Sequence, residues 1–313
     1  MVDLNKIIQA KRTINDFVYK TPFALAPKLS RIYGAEVYLK SENLQRTGAY
    51  KIRGAYNKIA HLTDDERAHC SYKILRDSPR RHFRAKPISY PAAHRAHPAQ
   101  GVAMSAQKFG VRAVIVMPEA TPLLKISGTK ALGAEIILQG DNFDEAYAFA
   151  LEYAKEHNLT FVHPFNDEFV QAGQGTIALE MIEEVADLEY IVVPVGGGGL
   201  ATGVCSCAKQ INPDIKIIAV AAKGAPAMHD SFVAKKPLNS ESVRTIADGI
   251  AVRDTSEITL STIIECVDEF VQVDDEEIAS AILYLLEQQK IIVEGAGAAG
   301  VAALMNAKFT FPA

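Results

Sequence analysis

The chain has 313 residues, 49% of them apolar and 22% charged, with a formal net charge of −4. This is the make-up of a soluble globular protein of one large or two ordinary domains, long enough to bury a sizeable core. It excludes an overall basic nucleic-acid or membrane-surface binder, and no uninterrupted apolar run reaches the ~18 residues that a membrane span needs.

The start, Met1-Val2-Asp3-Leu4-Asn5-Lys6, lacks the basic and then apolar pattern of a signal peptide. Residues 41–55 read Ser-Glu-Asn-Leu-Gln-Arg-Thr-Gly-Ala-Tyr-Lys-Ile-Arg-Gly-Ala. Small residues on both sides of Lys51 leave room for a bulky group near its ammonium. A lysine that forms imines must be partly desolvated or held near other cations. By its chemistry alone the run fits either such a lysine or one that opens a helix and faces water.

Residues 68–98 break the composition. They hold seven basic residues against one acid, Asp77, together with four of the eight histidines and four of the fourteen prolines. Prolines 79, 87, 91 and 98 argue against a regular helix or a central strand here.

Beyond this island the pattern alternates. Ala113–Pro118, Ala134–Leu138, Tyr190–Val195 and Ile215–Val220 are short apolar runs, read as strands buried on both faces of a parallel sheet. Residues 142–157 place Phe143, Ala146, Phe149, Ala150 and Tyr153 at helical spacing, with Asn158 as a stop. Glu276 to Gln289 reads as a second helix. Strand, helix and strand in repetition give an α/β plan.

Gly196-Gly197-Gly198-Gly199 lies between the apolar strand ending at Val195 and a helix beginning with Leu200. Glycines at such a junction let backbone N–H groups converge on an anion at the positive end of the helix dipole. A phosphate is the natural guest, and a flexible tight turn is the alternative. The run has neither the Lys-Ser/Thr of a Walker loop nor the spacing of a dinucleotide fingerprint. Glu294 by itself reads as an acid at a helix start. The four cysteines, Cys70, Cys205, Cys207 and Cys266, form no disulfide framework and no zinc pattern, so a reducing cytoplasm and no metal are expected.

The run from Ser41 to Ala55 closely resembles the signature of the threonine dehydratase family, the serine and threonine dehydratases of the type II, tryptophan-synthase-like pyridoxal-phosphate enzymes. Pro194–Leu200 resembles that family's phosphate loop. His163–Asp167, Ala172–Thr176, Thr245–Val252 and Val293–Ala298 are family-like as well, so the resemblance spans residues 1–67 and 101–313. It implies two α/β domains with open, mostly parallel twisted sheets. The larger comprises residues 1–54 and 156–313, and the smaller residues 55–155. It implies pyridoxal 5′-phosphate as cofactor, held by Lys51 as Schiff-base lysine and by Gly196, Gly197, Gly198, Gly199 and Leu200, with Glu294 near the cofactor ring. Lys51 is then the catalytic base.

The implied reaction is a lyase reaction on a small amino acid. L-threonine is deaminated to 2-oxobutanoate and ammonia, the first step toward isoleucine, and serine gives pyruvate. Serine racemase or serine dehydratase activity on the same scaffold, or an inactive fragment, are the alternatives. Homo-oligomers are common in the family.

Three departures from the family pattern stand out. Ala99-Gln100-Gly101-Val102-Ala103 matches the downstream half of the family's S-A-G-N-H-A-Q-G-V-A segment, but His94-Arg95-Ala96-His97-Pro98 replaces its upstream half. Residues 68–98 are therefore read as an out-of-frame stretch between two in-frame blocks. The chain stops at Ala313, before the family's S-G-G-N turn and any regulatory ACT domain, and is read as truncated there. Ala221-Ala222 stands where many relatives carry an acid of a cation site.

Overall fold

The computed structural model describes residues 1–63, 66, 88–91, 96–141 and 143–309. The chain divides into two compact units, one of residues 1–50 and 171–313 and one of residues 51–170.

The first unit opens with α1 (Leu4–Ile14), capped by Asp3, whose side chain accepts from Asn5 N at 2.7 Å. Strands β1 (Phe23–Leu25) and β2 (Tyr38–Lys40) pair antiparallel around α2 (Pro27–Tyr33). Proline sits at the start of α2 and Gly34 ends it at φ 65°, the arrangement each residue favours. The main sheet of this unit is parallel, in the order β7 (Tyr190–Pro194), β8 (Lys216–Ala222), β9 (Glu269–Val273). Between these strands run α8 (Gly199–Ile211), α9 (Ala227–Ala234) and α10 (Glu257–Cys266); α11 (Asp275–Tyr284) and α12 (Gly295–Met305) follow.

One core cluster joins Ile7 of α1 to Val193, Ile217, Val204 and Ile263. A second joins Ile218 and Val220 to Ile278, Ala281, Ala299 and Ala302. Helix α7 (Glu168–Glu184) meets α8 where Gly175 and Gly203 remove both side chains. A Cβ on Gly175 would lie 2.8 Å from Gly203 O. Lys40 Nζ is buried against Glu180 Oε2 at 2.6 Å and also donates to Thr21 O at 2.7 Å. A buried ion pair is tolerated only with such additional hydrogen bonds.

The second unit holds α3 (Lys51–Ala60) and a parallel sheet in the order β5 (Glu135–Leu138), β4 (Ala113–Met117), β3 (Ile88–Pro91), β6 (Thr160–Phe161). Helices α4 (Ala96–Phe109), α5 (Leu123–Ala131) and α6 (Phe143–Glu156) belong to it as well. Its core gathers Ile59, Val102, Ala106, Ile115 and Met117.

The four apolar runs are strands, but two are not buried on both faces. Glu135 and Leu138 of β5 are exposed, and β7 alternates between buried and half-buried positions. Among the described residues each lies at the edge of its sheet, paired with a strand on one flank. β4 is buried throughout and β8 from its second residue on. The helix of residues 142–157 ends as its sequence indicates, with Asn158 in the left-handed region at φ 51°. The helix of residues 276–289 is α-helical only to Tyr284. Leu285–Gln289 form a π-helical turn that Lys290 closes at φ 60°.

The prolines of residues 68–98 do not exclude regular structure where it is described. β3 is paired on both sides, with Pro91 as its last residue, and Pro98 falls in the first turn of α4. There the missing N–H costs no intrahelical bond. Residues 64–65, 67–87 and 92–95, and with them most of the stretch read as out of frame, lie outside the described residues.

Candidate functional site

In the first unit, strand β7 runs out through Val195, whose N–H donates to Val220 O at 2.8 Å. The chain then turns through Gly196–Gly198 into α8. Of these glycines only Gly198 requires the left-handed region, at φ 89°. It is the N-cap of α8, and no side chain caps that end.

The other glycines are set by neighbours. A Cβ on Gly196 would lie 2.9 Å from both Cα and O of Ile250. One on Gly198 would lie 2.8 Å from Thr259 Cβ. The loop is therefore a tight seam that admits no side chain on its packed side. Its N-terminal helix end is supplied with backbone donors and no acceptor of its own. In the first turn of α8, the Thr202 hydroxyl is buried and has no hydrogen-bond partner. These features fit an anionic group held by backbone.

Glu294 is the N-cap of α12, half-buried, and makes no capping bond. A Cβ on Gly249 would lie 3.2 Å from Glu294 Oε1. Gly249 is the middle residue of the 3-10 turn Asp248–Ile250, and Ile250 is the residue on which Gly196 packs. One turn thus joins the glycine loop to Glu294. Leu200 is the second residue of α8 and half-buried.

Lys51 belongs to the second unit. It is the first residue of α3 and half-buried, while Ile52 and Arg53 beside it are fully buried. Gly101 of α4 lets that helix close on this turn: a Cβ there would lie 3.2 Å from Ile52 Cα. The far end of α3 is tied to the segment ahead of α7. Asn57 Nδ2 donates to Phe169 O at 2.8 Å, Lys58 Nζ pairs with Asp167 Oδ2 at 2.8 Å, and His61 stacks on Phe169.

In that segment His163 Nδ1 accepts from Phe165 N at 3.2 Å and from Asn166 N at 2.8 Å. Tyr147, Phe161 and Phe165 meet its ring edge-on. Burial pushes the imidazole down to about 4 against the opposing pull of Asp167. An Nδ1 that accepts two N–H groups has no room for a proton, which agrees with that direction.

Cys205, Cys207 and Cys266 are free and buried, and burial pushes Cys207 up to about 12. Among the described residues, no cluster of three His, Cys, Asp or Glu is placed to hold a metal ion.

One residue at the loop gives no signal in the sequence: Thr259 touches it from 62 residues away. A threonine within an apolar helix reads as core.

A strand, glycine seam and open helix end beside a helix-starting acid define an α/β protein with a helix start that its own side chains leave uncapped. The chain belongs to the pyridoxal-phosphate-dependent enzyme family, whose model matches residues 14–312. It is 47% identical over 306 residues to the L-threonine ammonia-lyase of Thermotoga maritima, covering 98% of this chain and 72% of that one. Threonine deaminase isoform 2 of Solanum lycopersicum superposes with a TM-score of 0.85 at 34% identity, covering 98% of this chain and 82% of that one. Maize serine racemase superposes with a TM-score of 0.87 at 31% identity, covering 97% and 86%.

Proposed function

We propose that the chain is a pyridoxal-phosphate-dependent ammonia-lyase that converts L-threonine to 2-oxobutanoate and ammonia, with L-serine as a further substrate giving pyruvate. The observation that carries this reading is the 47% identity to an L-threonine ammonia-lyase over 98% of the chain. The open, uncapped glycine end of α8 adds the matching phosphate cradle.

In this reading the N–H groups of Gly196–Gly199 and Leu200 would hold the phosphate, and Glu294 would stand near the ring. Lys51 would hold the cofactor through Nζ, and the same Nζ would take the Cα proton of the substrate. The bound cofactor supplies an electron sink for the charge left at Cα. The β-hydroxyl then departs as water. A second water releases ammonia, so that threonine yields one 2-oxobutanoate and one ammonia with no net change in water.

Such a product suits the supply of carbon to isoleucine synthesis. Three free, buried thiols suit a reducing cytoplasm. Among the described residues no helix is long and apolar enough to cross a membrane. A homo-oligomer completes the proposal.

The test is to load the chain with cofactor and measure 2-oxobutanoate from L-threonine. Lys51→Ala is expected to lower the rate at least about 10³-fold, the scale of a lost positioned base, and to abolish the absorbance of the lysine-bound cofactor. Product formation that survives in Lys51→Ala would sink the assignment. Serine racemisation is the second reading, favoured by the likeness to maize serine racemase. Formation of D-serine faster than 2-oxobutanoate would select it.

A further inference from the structure

We propose that Thr259 is a positioning residue of the glycine loop, fixing the orientation of the Gly197–Gly198 peptide so that its N–H is presented to the cofactor phosphate. The inference rests on the reading of the loop as the phosphate cradle.

Thr259 lies in α10 and is fully buried. Its hydroxyl has one hydrogen to give and two carbonyls in reach, Gly197 O at 3.0 Å and Ser256 O at 3.3 Å. The nearer one belongs to the loop. The peptide after Gly197 is trans, since the described chain contains no cis bond. In a planar trans peptide the C=O and the following N–H point in opposite directions. Holding Gly197 O on Thr259 therefore turns Gly198 N–H away from α10.

A glycine pair has no side chain to oppose the reverse orientation, because both halves of its φ range are open to it. The constraint has to come from outside the loop. Thr259 supplies it twice: through the hydrogen bond and through contact, since a Cβ on Gly198 would lie 2.8 Å from Thr259 Cβ and 2.9 Å from Ile263 Cδ1. Without the hydroxyl, Gly197 O would be a buried acceptor lacking its partner, and flipping the peptide toward water would relieve it. That flip removes one donor from the cradle.

The experiment compares the parent chain, Thr259→Val and Thr259→Ser by absorbance titration with pyridoxal phosphate and, separately, with pyridoxal, which lacks the phosphate. Valine keeps the shape and loses the donor; serine keeps the donor. Thr259→Val is expected to bind pyridoxal phosphate about tenfold more weakly, the scale of one lost hydrogen bond to a charged group, with pyridoxal binding unchanged. Thr259→Ser is expected to stay within about twofold of the parent, well below one such bond.

Equal affinity of Thr259→Val and the parent for pyridoxal phosphate overturns the inference. So does an equal loss for both ligands, which would mark general distortion of the fold. If Thr259→Val does not fold, a tenfold loss in Thr259→Ser overturns it as well. A parent chain that binds no pyridoxal phosphate overturns the cofactor reading and this inference together, an outcome distinct from the others.

Discussion

Helices α8 and α11 lie in the same unit and start in opposite ways. At α11, Asp274 Oδ1 accepts from Glu277 N at 3.0 Å, and Glu277 Oε2 accepts from Asp274 N at 2.8 Å, a reciprocal capping box. At α8 the cap is Gly198, left-handed and without a side-chain acceptor. Every helix leaves its first N–H groups without intrahelical partners. One helix meets that need with its own side chains. The other leaves it open, at the entropic cost of a glycine run. Within one fold, the unmet end fits the outside anion proposed for it, and the capped end is satisfied by its own side chains.

The sharpest way to break this comparison is to build an acidic cap into α8. Gly198→Asp would force a side chain to φ 89°, at about 1–2 kcal/mol, and against Thr259, at about 1–3 kcal/mol. On the proposed reading it would also put a carboxylate beside the cofactor phosphate. A stability loss of about 3–4 kcal/mol in urea unfolding and a fall in cofactor affinity of more than about a hundredfold are expected. Gly198→Asp that binds the cofactor like the parent would show that the open end serves no anion.

The second unit offers a cap that titrates. His163 Nδ1 does for Phe165 N and Asn166 N what Asp274 does for Glu277 N. Burial holds its imidazole at about 4, below the usual value of 6.5. Between those values the unfolded chain binds a proton that the folded chain refuses. The stabilisation is therefore complete above pH 6.5, falls as the pH drops through that window, and levels off near 4. The loss amounts to about 3 kcal/mol. His163→Asn keeps a side-chain acceptor and removes the titration, so its stability is expected to lose this slope. An unchanged slope in His163→Asn would assign the effect to other groups.

These features were unequally legible in the sequence. β4 and β8 are continuous apolar runs, and Asn158 stops its helix because asparagine tolerates the left-handed region. Local chemistry decides such elements. The glycine run announces a strand-to-helix turn for the same reason. It does not say that only Gly198 needs positive φ, or that Gly196 is small because Ile250 lies against it. Those reasons are tertiary. The prolines of residues 88–98 misled because their effect depends on position: Pro91 ends a strand and Pro98 lies in a first turn. The π-helical turn after Tyr284 breaks no apolar periodicity, so the pattern ran on through it. Thr259 was invisible because a hydroxyl that serves a loop 62 residues away leaves no trace in its own helix.

The smallest expected effect tests the structural half of the comparison. Asp274→Ala removes the acceptor for Glu277 N and leaves the return bond from Asp274 N to Glu277 intact, since that N–H is backbone. A lost N-cap of this kind lowers Tm by about 2–4 °C in a chain of this size. Two effects hold the Asp274 carboxyl below its usual range, first the Glu277 N–H and then the hydrogen bond from Lys223. Its contribution is therefore complete above the ordinary carboxylate value and fades as the pH falls through the lowered one. The parent and Asp274→Ala should differ in Tm near pH 7 and converge in strong acid. Cofactor affinity should not change in Asp274→Ala, because the α11 end is capped by its own side chains and lies outside the proposed cradle. A drop in that affinity matching the loss from Gly198→Asp would erase the distinction between the two helix starts. A shift in Tm alone, with the titration curve superposed on that of the parent, would confine anion binding to the end that carries no cap.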